Sequence, residues 1–231
     1  MIRSVLFLAA LWLAALPVQD VHKAVSAFDS RYRHARTLKA IFFEAYRDGK
    51  GGVSADSGTV YFSKPGRMRW EYESPETKLF LVDGTHVWFY VPANHTASRA
   101  KFSQSSDWRT PLALLAGKAD LGKLCSRIQL AQPAPAASAE SAAPPSDSGD
   151  TTLRCIPRES PESETIHDVL LTVNPEGFLT RLLIEEAGNA STEFRFANWQ
   201  QDIPIPEVKF HFEPPPGVAI VDEQSLANTI R

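Results

Sequence analysis

The stretch Arg67-Met68-Arg69-Trp70-Glu71-Tyr72-Glu73 alternates charged side chains with large apolar ones. Successive side chains of a β-strand point to opposite faces, so Met68, Trp70 and Tyr72 share one face and the charged residues share the other. A strand with one dry and one wet face is typical of an antiparallel sheet that covers a core on one side. The stretch therefore predicts a half-buried antiparallel strand.

Turn signals and further strands surround this stretch on both sides. Lys64-Pro65-Gly66 predicts a turn that follows a strand at about 58–63. Asp83-Gly84 predicts the turn of a hairpin whose second strand runs over 86–91. Three later segments repeat the alternation, and their apolar positions are Leu182 and Ile184, Phe194 and Phe196, and Val208, Phe210 and Phe212.

Two helices are expected beside these strands. Apolar residues recur with the helical period of about 3.6 residues from Asp20 to about Leu38, which predicts an amphipathic helix. Thr110-Pro111 predicts the start of a short second helix, which Gly117 ends. Few helices and many half-buried strands predict a mainly β protein of the α+β class, built on one strongly curved antiparallel sheet that the helices close.

The first residues have the layout of a secretory signal peptide. Arg3 precedes an uncharged run from Ser4 to Leu16 that is rich in Leu and Ala. The run is shorter than the roughly 20 apolar residues that span a bilayer. We therefore expect residues 1–17 to be a signal peptide and residues 18–231 to form a single exported domain.

Cys125 and Cys155 flank a segment, residues 131–150, that consists almost wholly of Ala, Pro, Ser, Gly and acidic residues. Such a composition cannot bury a core, so we expect a disordered insertion in a hairpin. In an oxidising compartment the two cysteines are expected to form a disulfide at the base of this insertion. The alternative is a pair of separately buried thiols.

Charge and motifs argue against several classes of function. The chain has 24 Lys and Arg against 27 Asp and Glu, a formal net charge of −3 without a basic stripe, which argues against nucleic-acid binding. It has no phosphate-binding glycine loop, no His-Glu-x-x-His pair and no Gly-x-Ser-x-Gly elbow. Its six histidines lack metal-ligand spacing. We therefore expect no catalytic residue, no metal and no cofactor, and a protein that is not an enzyme.

The apolar faces of the strands leave two interpretations open. Most such faces form a solid core in β proteins. A sheet that is strongly curved and thinly covered would instead leave a cavity for an apolar ligand. Periodicity alone does not choose between the core and the cavity.

Four blocks of the sequence resemble the family of periplasmic lipoprotein carriers, LolA. They are GTVYFSKPGRMRWEY (residues 58–72), LVDGTHVWFYVP (residues 81–92), TPLALLA (residues 110–116) and FHFEPPPGV (residues 210–218), and they come in the order of the family. The resemblance implies an incomplete β-barrel that a helical lid closes over an apolar cavity.

The resemblance also implies a function in protein transport for outer-membrane biogenesis. The protein would be a monomeric chaperone of the periplasm that binds the acyl chains of lipoproteins. It would accept each lipoprotein from an inner-membrane ABC transporter and deliver it to an outer-membrane acceptor. The alternatives are a lipid-sensing regulatory protein of the cell envelope with the same fold, and a lipid-active hydrolase.

The resemblance assigns roles to individual residues. Lys64 stands before Pro65, where the family usually has an Arg that latches the lid, and Lys keeps the charge without the fork of donors. The alternatives are a latch that Lys64 shares with Arg67 or Arg69, and a Lys64 that is only a solvated residue at a strand end. Met68 falls where the family has a cavity-lining aromatic residue, and Met suits a variable ligand. The residues expected to bind acyl chains are Met68, Trp70, Tyr72, Leu81, Trp88, Tyr90, Leu112, Leu115, Ile184 and Phe196.

Overall fold

The computed structural model describes residues 21–102, 120–131, 149–158 and 165–222, which form two α-helices and twelve β-strands. The helices are α1 (Val21–His34) and α2 (Leu121–Leu124). The strands are β1 (Thr37–Arg47), β2 (Val53–Ser63), β3 (Arg67–Ser74), β4 (Lys78–Val82), β5 (His86–Val91), β6 (Thr96–Lys101), β7 (Cys125–Leu130), β8 (Thr151–Pro157), β9 (Ile166–Val173), β10 (Leu179–Glu186), β11 (Ser191–Gln201) and β12 (Ala219–Asp222).

All twelve strands belong to one sheet with the order β12-β6-β5-β4-β3-β2-β1-β11-β10-β9-β8-β7. Strands β1 to β6 form one meander and β7 to β11 form a second, and the pairing of β1 with β11 joins them. The neighbours are antiparallel except β12 and β6, which are parallel. Among the described residues the sheet is open, with β12 and β7 at its edges. The prediction of a mainly β protein with a large antiparallel sheet is confirmed.

Ring distances show that the sheet is strongly curved. Trp70 on β3 and Phe194 and Phe196 on β11 are separated by β2 and β1 in the sheet. Three strand spacings would separate their backbones by about 14 Å in a flat sheet. The Trp70 ring nevertheless lies 5.7 Å from the Phe194 ring and 6.1 Å from the Phe196 ring. These side chains therefore converge on the concave face, which is called the inner face below.

Helix α1 packs against the inner face. Its side chains Phe28 and Tyr32 are fully buried in the same apolar cluster as Trp70. The Tyr32 hydroxyl accepts a hydrogen bond from the Leu179 backbone N–H at 3.0 Å. A side chain at Gly177 would bring its Cβ to 2.5 Å from the carbonyl oxygen of Ala27 in the helix, and Gly177 also has a φ of +88°. Only glycine permits this close approach of the helix to the turn between β9 and β10.

The prediction that the first helix extends to about Leu38 is wrong. The helix ends at His34, and Leu38 belongs to β1. The Arg36 N–H donates to the Asp202 carboxylate at 2.8 Å, and the Arg36 carbonyl accepts from the Lys64 N–H at 3.0 Å. These two bonds hold the Arg36 backbone against distant parts of the chain, so it leaves the helical path.

The predicted strand over Val208 to Phe212 is also wrong. Glu207–Phe210 forms a short 3-10 turn, and Val208 is 73% exposed. Prolines at 204, 206 and 214–216 flank this turn, and each lacks the N–H that a strand would donate to its neighbour. The segment therefore crosses the sheet without joining its ladder.

Cys125 and Cys155 are joined by a disulfide across the β7–β8 hairpin, with their Cα atoms 5.4 Å apart. The hairpin opens into the insertion after Ala131, whose N–H donates to the Thr152 carbonyl at 2.9 Å. Residues 132–148 of the insertion, the expected signal peptide and the predicted helix after Thr110 lie outside the described residues. The single-domain organisation stays a prediction.

Candidate functional site

An aromatic cluster occupies the middle of the inner face. Trp70 lies at its centre and is 1% exposed. Four phenylalanine rings surround the indole, with centroids at 4.7 Å for Phe42, 5.7 Å for Phe194, 6.1 Å for Phe196 and 6.2 Å for Phe62. The rings come from β1, β2 and β11, so the curvature of the sheet builds the cluster.

Five residues that the sequence assigned to acyl-chain binding lie in this inner cluster. They are Met68, Trp70, Tyr72, Ile184 and Phe196. Sequence reasoning did not assign the six other aromatic members to binding, which are Phe28, Tyr32, Phe42, Phe62, Phe80 and Phe194. Phe62 lies in the same sequence block as Met68, on the preceding strand of the predicted hairpin. Pairing of the two strands across the turn would have placed Phe62 opposite Met68 on the same face.

Leu81, Trp88 and Tyr90 lie on the opposite, outer face of the sheet, away from the inner cluster. Trp70 is paired with Phe80, whereas Leu81 is paired with Arg69, and directly paired residues share a face. Leu81 is in turn paired with Trp88. Residues 79–82 of β4 are all buried, so this strand shows no polar alternation that would reveal which side faces inward. Leu112 and Leu115 lie outside the described residues.

The outer-face residues have a structural partner of their own. Leu79, Leu81 and Trp88 form a second apolar cluster with Phe210 of the irregular segment 203–218, which we call the strap. The Phe212 ring packs 5.4 Å from the Trp88 ring. Two further bonds fix the strap: the Lys209 ammonium lies 2.8 Å from a Glu71 carboxylate oxygen, and the Arg69 guanidinium donates to the Lys209 carbonyl at 3.0 Å. Leu81 and Trp88 thus secure the strap to the sheet.

Lys64 contacts the C-terminal end of helix α1. Its ammonium group donates to the Arg33 carbonyl at 2.5 Å. Burial lowers the pKa of Lys64, and the neighbouring Asp202 carboxylate opposes this effect. A cation at a helix C-terminus is favourable because the free carbonyls carry partial negative charge. The side chain therefore joins the β2–β3 turn to the helix that covers the inner face.

Arg31 supplies a second polar attachment of helix α1. Its guanidinium donates twice to the Glu176 carbonyl, at 2.9 and 2.6 Å, and once to the Gln201 side-chain oxygen at 2.6 Å. The same group lies 4.4 Å from the centroid of the Phe178 ring. Lys64 and Arg31 thus attach the last turn of the helix to two separate turns of the sheet.

One buried carboxyl borders the aromatic cluster. Tyr72 donates its hydroxyl to Glu44 at 2.9 Å, and both side chains are less than a tenth exposed. The pKa of Glu44 is raised from its ordinary 4.5 to about 7, mainly because the carboxyl is buried. The hydrogen bond from Tyr72 lowers this pKa, and the nearby negative charge of Asp56 raises it further. Lys78 pairs with Asp56 at 2.6 Å. The raised pKa favours the protonated form of Glu44 compared with an exposed carboxyl.

The chemistry of this site is apolar. Among the described residues, no group of three or more His, Cys, Asp or Glu side chains is placed to hold a metal ion. The inner face offers aromatic and aliphatic surface under a single helix, with one carboxyl–hydroxyl pair at its border. Such a surface suits a hydrocarbon ligand.

Residues 33–213 match the model of the family described as outer membrane lipoprotein carrier protein LolA. The chain belongs to this family. Among its relatives, proteins named outer-membrane lipoprotein carrier protein are 29% identical in Nitrosospira multiformis and 27% identical in Dechloromonas aromatica. The first comparison covers 86% of this chain and 88% of the relative, and the second covers 94% and 96%.

A solved structure supports the fold independently. An uncharacterized conserved protein from Thermus thermophilus superposes with a TM-score of 0.52 at 9% sequence identity. The superposition covers 89% of this chain and all of the other. Within the part of the chain that the structure describes, no helix has the length and apolar content needed to cross a membrane.

The free energy of unfolding should change with pH because Glu44 is buried and has a raised pKa. Because the folded-state pKa of about 7 lies above the ordinary 4.5, the folded protein binds the proton more tightly than the unfolded chain. The stabilisation is complete below pH 4.5 and is lost as the pH rises through 7. Glu44→Gln keeps an acceptor for Tyr72 and cannot ionise. We expect denaturant titrations between pH 4.5 and 8 to show wild-type stability falling relative to this variant, and parallel profiles would contradict the assignment.

Proposed function

We propose that this protein is a periplasmic carrier that binds the acyl chains of lipoproteins on its inner face. The observation that carries the proposal is the concave aromatic cluster around Trp70, which one helix covers. Family membership supports the same role, since the relatives are named as lipoprotein carriers. The reaction is binding and release, without covalent chemistry.

The size of the hydrophobic effect explains why such a carrier is needed. An acyl chain of roughly 15 methylenes costs about 12 kcal/mol to expose to water, at ~0.8 kcal/mol for each methylene. A lipoprotein would therefore remain in its membrane unless another apolar surface took up the chain. In our proposal the carrier takes its cargo from an inner-membrane ABC transporter and gives it to an outer-membrane acceptor, and it acts as a monomer.

Helix α1 is the proposed lid of an incomplete barrel. Phe28 and Tyr32 fill the inner face in the structure, so an acyl chain would enter by displacing them. The loss of the contacts that Phe28 and Tyr32 make with the inner face offsets part of the free energy of acyl-chain binding. The cargo can therefore be released. Lys64 is the proposed latch, because it bonds the end of this helix to the sheet.

The lipid-binding proposal is tested by mass spectrometry of the purified protein after incubation with a diacyl lipopeptide. We expect the wild-type protein to retain the lipopeptide. Met68→Glu places a charge among the apolar side chains and should weaken retention by roughly tenfold or more.

Ile41→Glu is the matched control, because Ile41 lies on β1 with 47% exposure and outside the inner cluster. It should bind like the wild type, and circular dichroism should show that both variants are folded. A folded wild-type protein without bound lipopeptide would refute the proposed function whatever the variants do.

The latch is tested by hydrogen exchange of the α1 backbone amides. Lys64→Met removes the ammonium donor and keeps the length of the side chain, so we expect α1 to exchange about tenfold faster, as the loss of a charged hydrogen bond implies. Lys64→Arg keeps a donor and should exchange like the wild type. Equal rates for Lys64→Met and the wild type would show that Lys64 is a solvated residue without a latching role.

A further inference from the structure

The indole N–H of Trp70 is a buried donor without an acceptor. Trp70 is 1% exposed, and no hydrogen-bond acceptor within the described ranges reaches its Nε1. The two other described tryptophans are both paired: Trp199 donates to the Leu179 carbonyl at 2.8 Å, and Trp88 donates to the Asp83 carboxylate at 3.1 Å. Proteins rarely leave a buried donor unsatisfied, because burial removes its bond to water. The unsatisfied N–H of Trp70 is therefore a candidate donor for a bound ligand.

The surroundings of Trp70 cannot supply the missing acceptor. The rings of Phe42, Phe62, Phe194 and Phe196 accept only weak N–H···π contacts. The neighbouring hydroxyl on the same face of β3, that of Tyr72, donates to Glu44, and its oxygen lies outside hydrogen-bond reach of the Trp70 Nε1. Trp70 thus offers the one unused donor that the described inner cluster presents.

The ligand that fits this donor is apolar along most of its length and carries one uncharged acceptor. A carboxylate or phosphate would have to leave water for a face that surrounds Trp70 with aromatic rings and has the Glu44 carboxyl at its border. A plain hydrocarbon would leave the N–H unsatisfied. The carbonyl oxygen of an acyl ester meets both requirements.

We infer that Trp70 donates its indole N–H to the ester carbonyl of the bound acyl chain, so that the site selects ester-linked chains over ether-linked ones. This inference rests on the proposed function, because the carbonyl reaches Trp70 only when helix α1 has moved aside. Trp70 thereby acts as a specificity residue. The aromatic cluster supplies apolar contact, and the hydrogen bond from Trp70 fixes the depth at which the acyl chain lies.

The test compares two synthetic lipopeptides that differ only in linkage, one with two ester-linked palmitoyl chains and one with two ether-linked hexadecyl chains. One hydrogen bond corresponds to a difference of roughly threefold to tenfold in affinity. We expect the wild-type protein to bind the ester-linked lipopeptide more tightly by this factor in a competition assay. Trp70→Phe keeps an aromatic ring without the N–H and should bring the ratio close to one.

Trp199→Phe is the matched control, because it makes the same truncation at an indole that already has a partner. Its ester-to-ether ratio should equal that of the wild type. A wild-type ratio near one, or a ratio that Trp70→Phe leaves unchanged, would overturn the inference and leave the carrier function intact. If neither lipopeptide binds, the proposed function fails and the inference fails with it.

A measurement on the wild-type protein covers the case in which Trp70→Phe does not fold. The indole proton signal of Trp70 in a ¹⁵N-edited nuclear magnetic resonance spectrum moves downfield when the N–H gains a carbonyl partner. We expect this shift with the ester-linked lipopeptide and not with the ether-linked one. Equal shifts with both would refute the hydrogen bond.

Discussion

The packing of helix α1 on the concave aromatic face is the interaction on which the rest of the structure depends. Curvature brings Trp70 and Phe196 within 6.1 Å of one another across three strand spacings, and this convergence creates an apolar surface too large to face water. Phe28 and Tyr32 of the helix cover it. An acyl chain offers the same kind of contact as these two side chains. In the proposed carrier, an acyl chain would therefore replace the helix on this face at a modest difference in free energy.

The outer face shows why such an exchange need not unfold the sheet. The strap covers Leu81 and Trp88 with Phe210, and the Lys209–Glu71 ion pair holds it in place. The two apolar clusters lie on opposite sides of the same strands, so in our proposal the outer cluster would keep β4 and β5 supported while an acyl chain displaces helix α1. Arg31 and Lys64 attach the last turn of the helix to the sheet by hydrogen bonds.

The sequence predicts which face of a strand is buried only where charged and apolar side chains alternate along it. Met68, Trp70 and Tyr72 alternate with charges, and their shared inner face was correctly predicted. β4 is apolar on both sides, so only its pairing with β3 shows that Phe80 faces inward and Leu81 outward. The strap and the ends of α1 depend on contacts with residues far away in the chain, which local periodicity does not contain. The resemblance identified the family, whereas the orientation of Leu81, Trp88 and Tyr90 required the structure.

The most direct test of the account is to locate a bound acyl chain by photo-cross-linking. A diacyl lipopeptide with a diazirine in the middle of one chain is loaded onto the protein, irradiated and mapped by peptide mass spectrometry. We expect labels on inner-face residues of β3 and β11, such as Met68, Trp70 and Phe196. Labels on Leu81 and Trp88 beneath the strap, with none on the inner face, would contradict it.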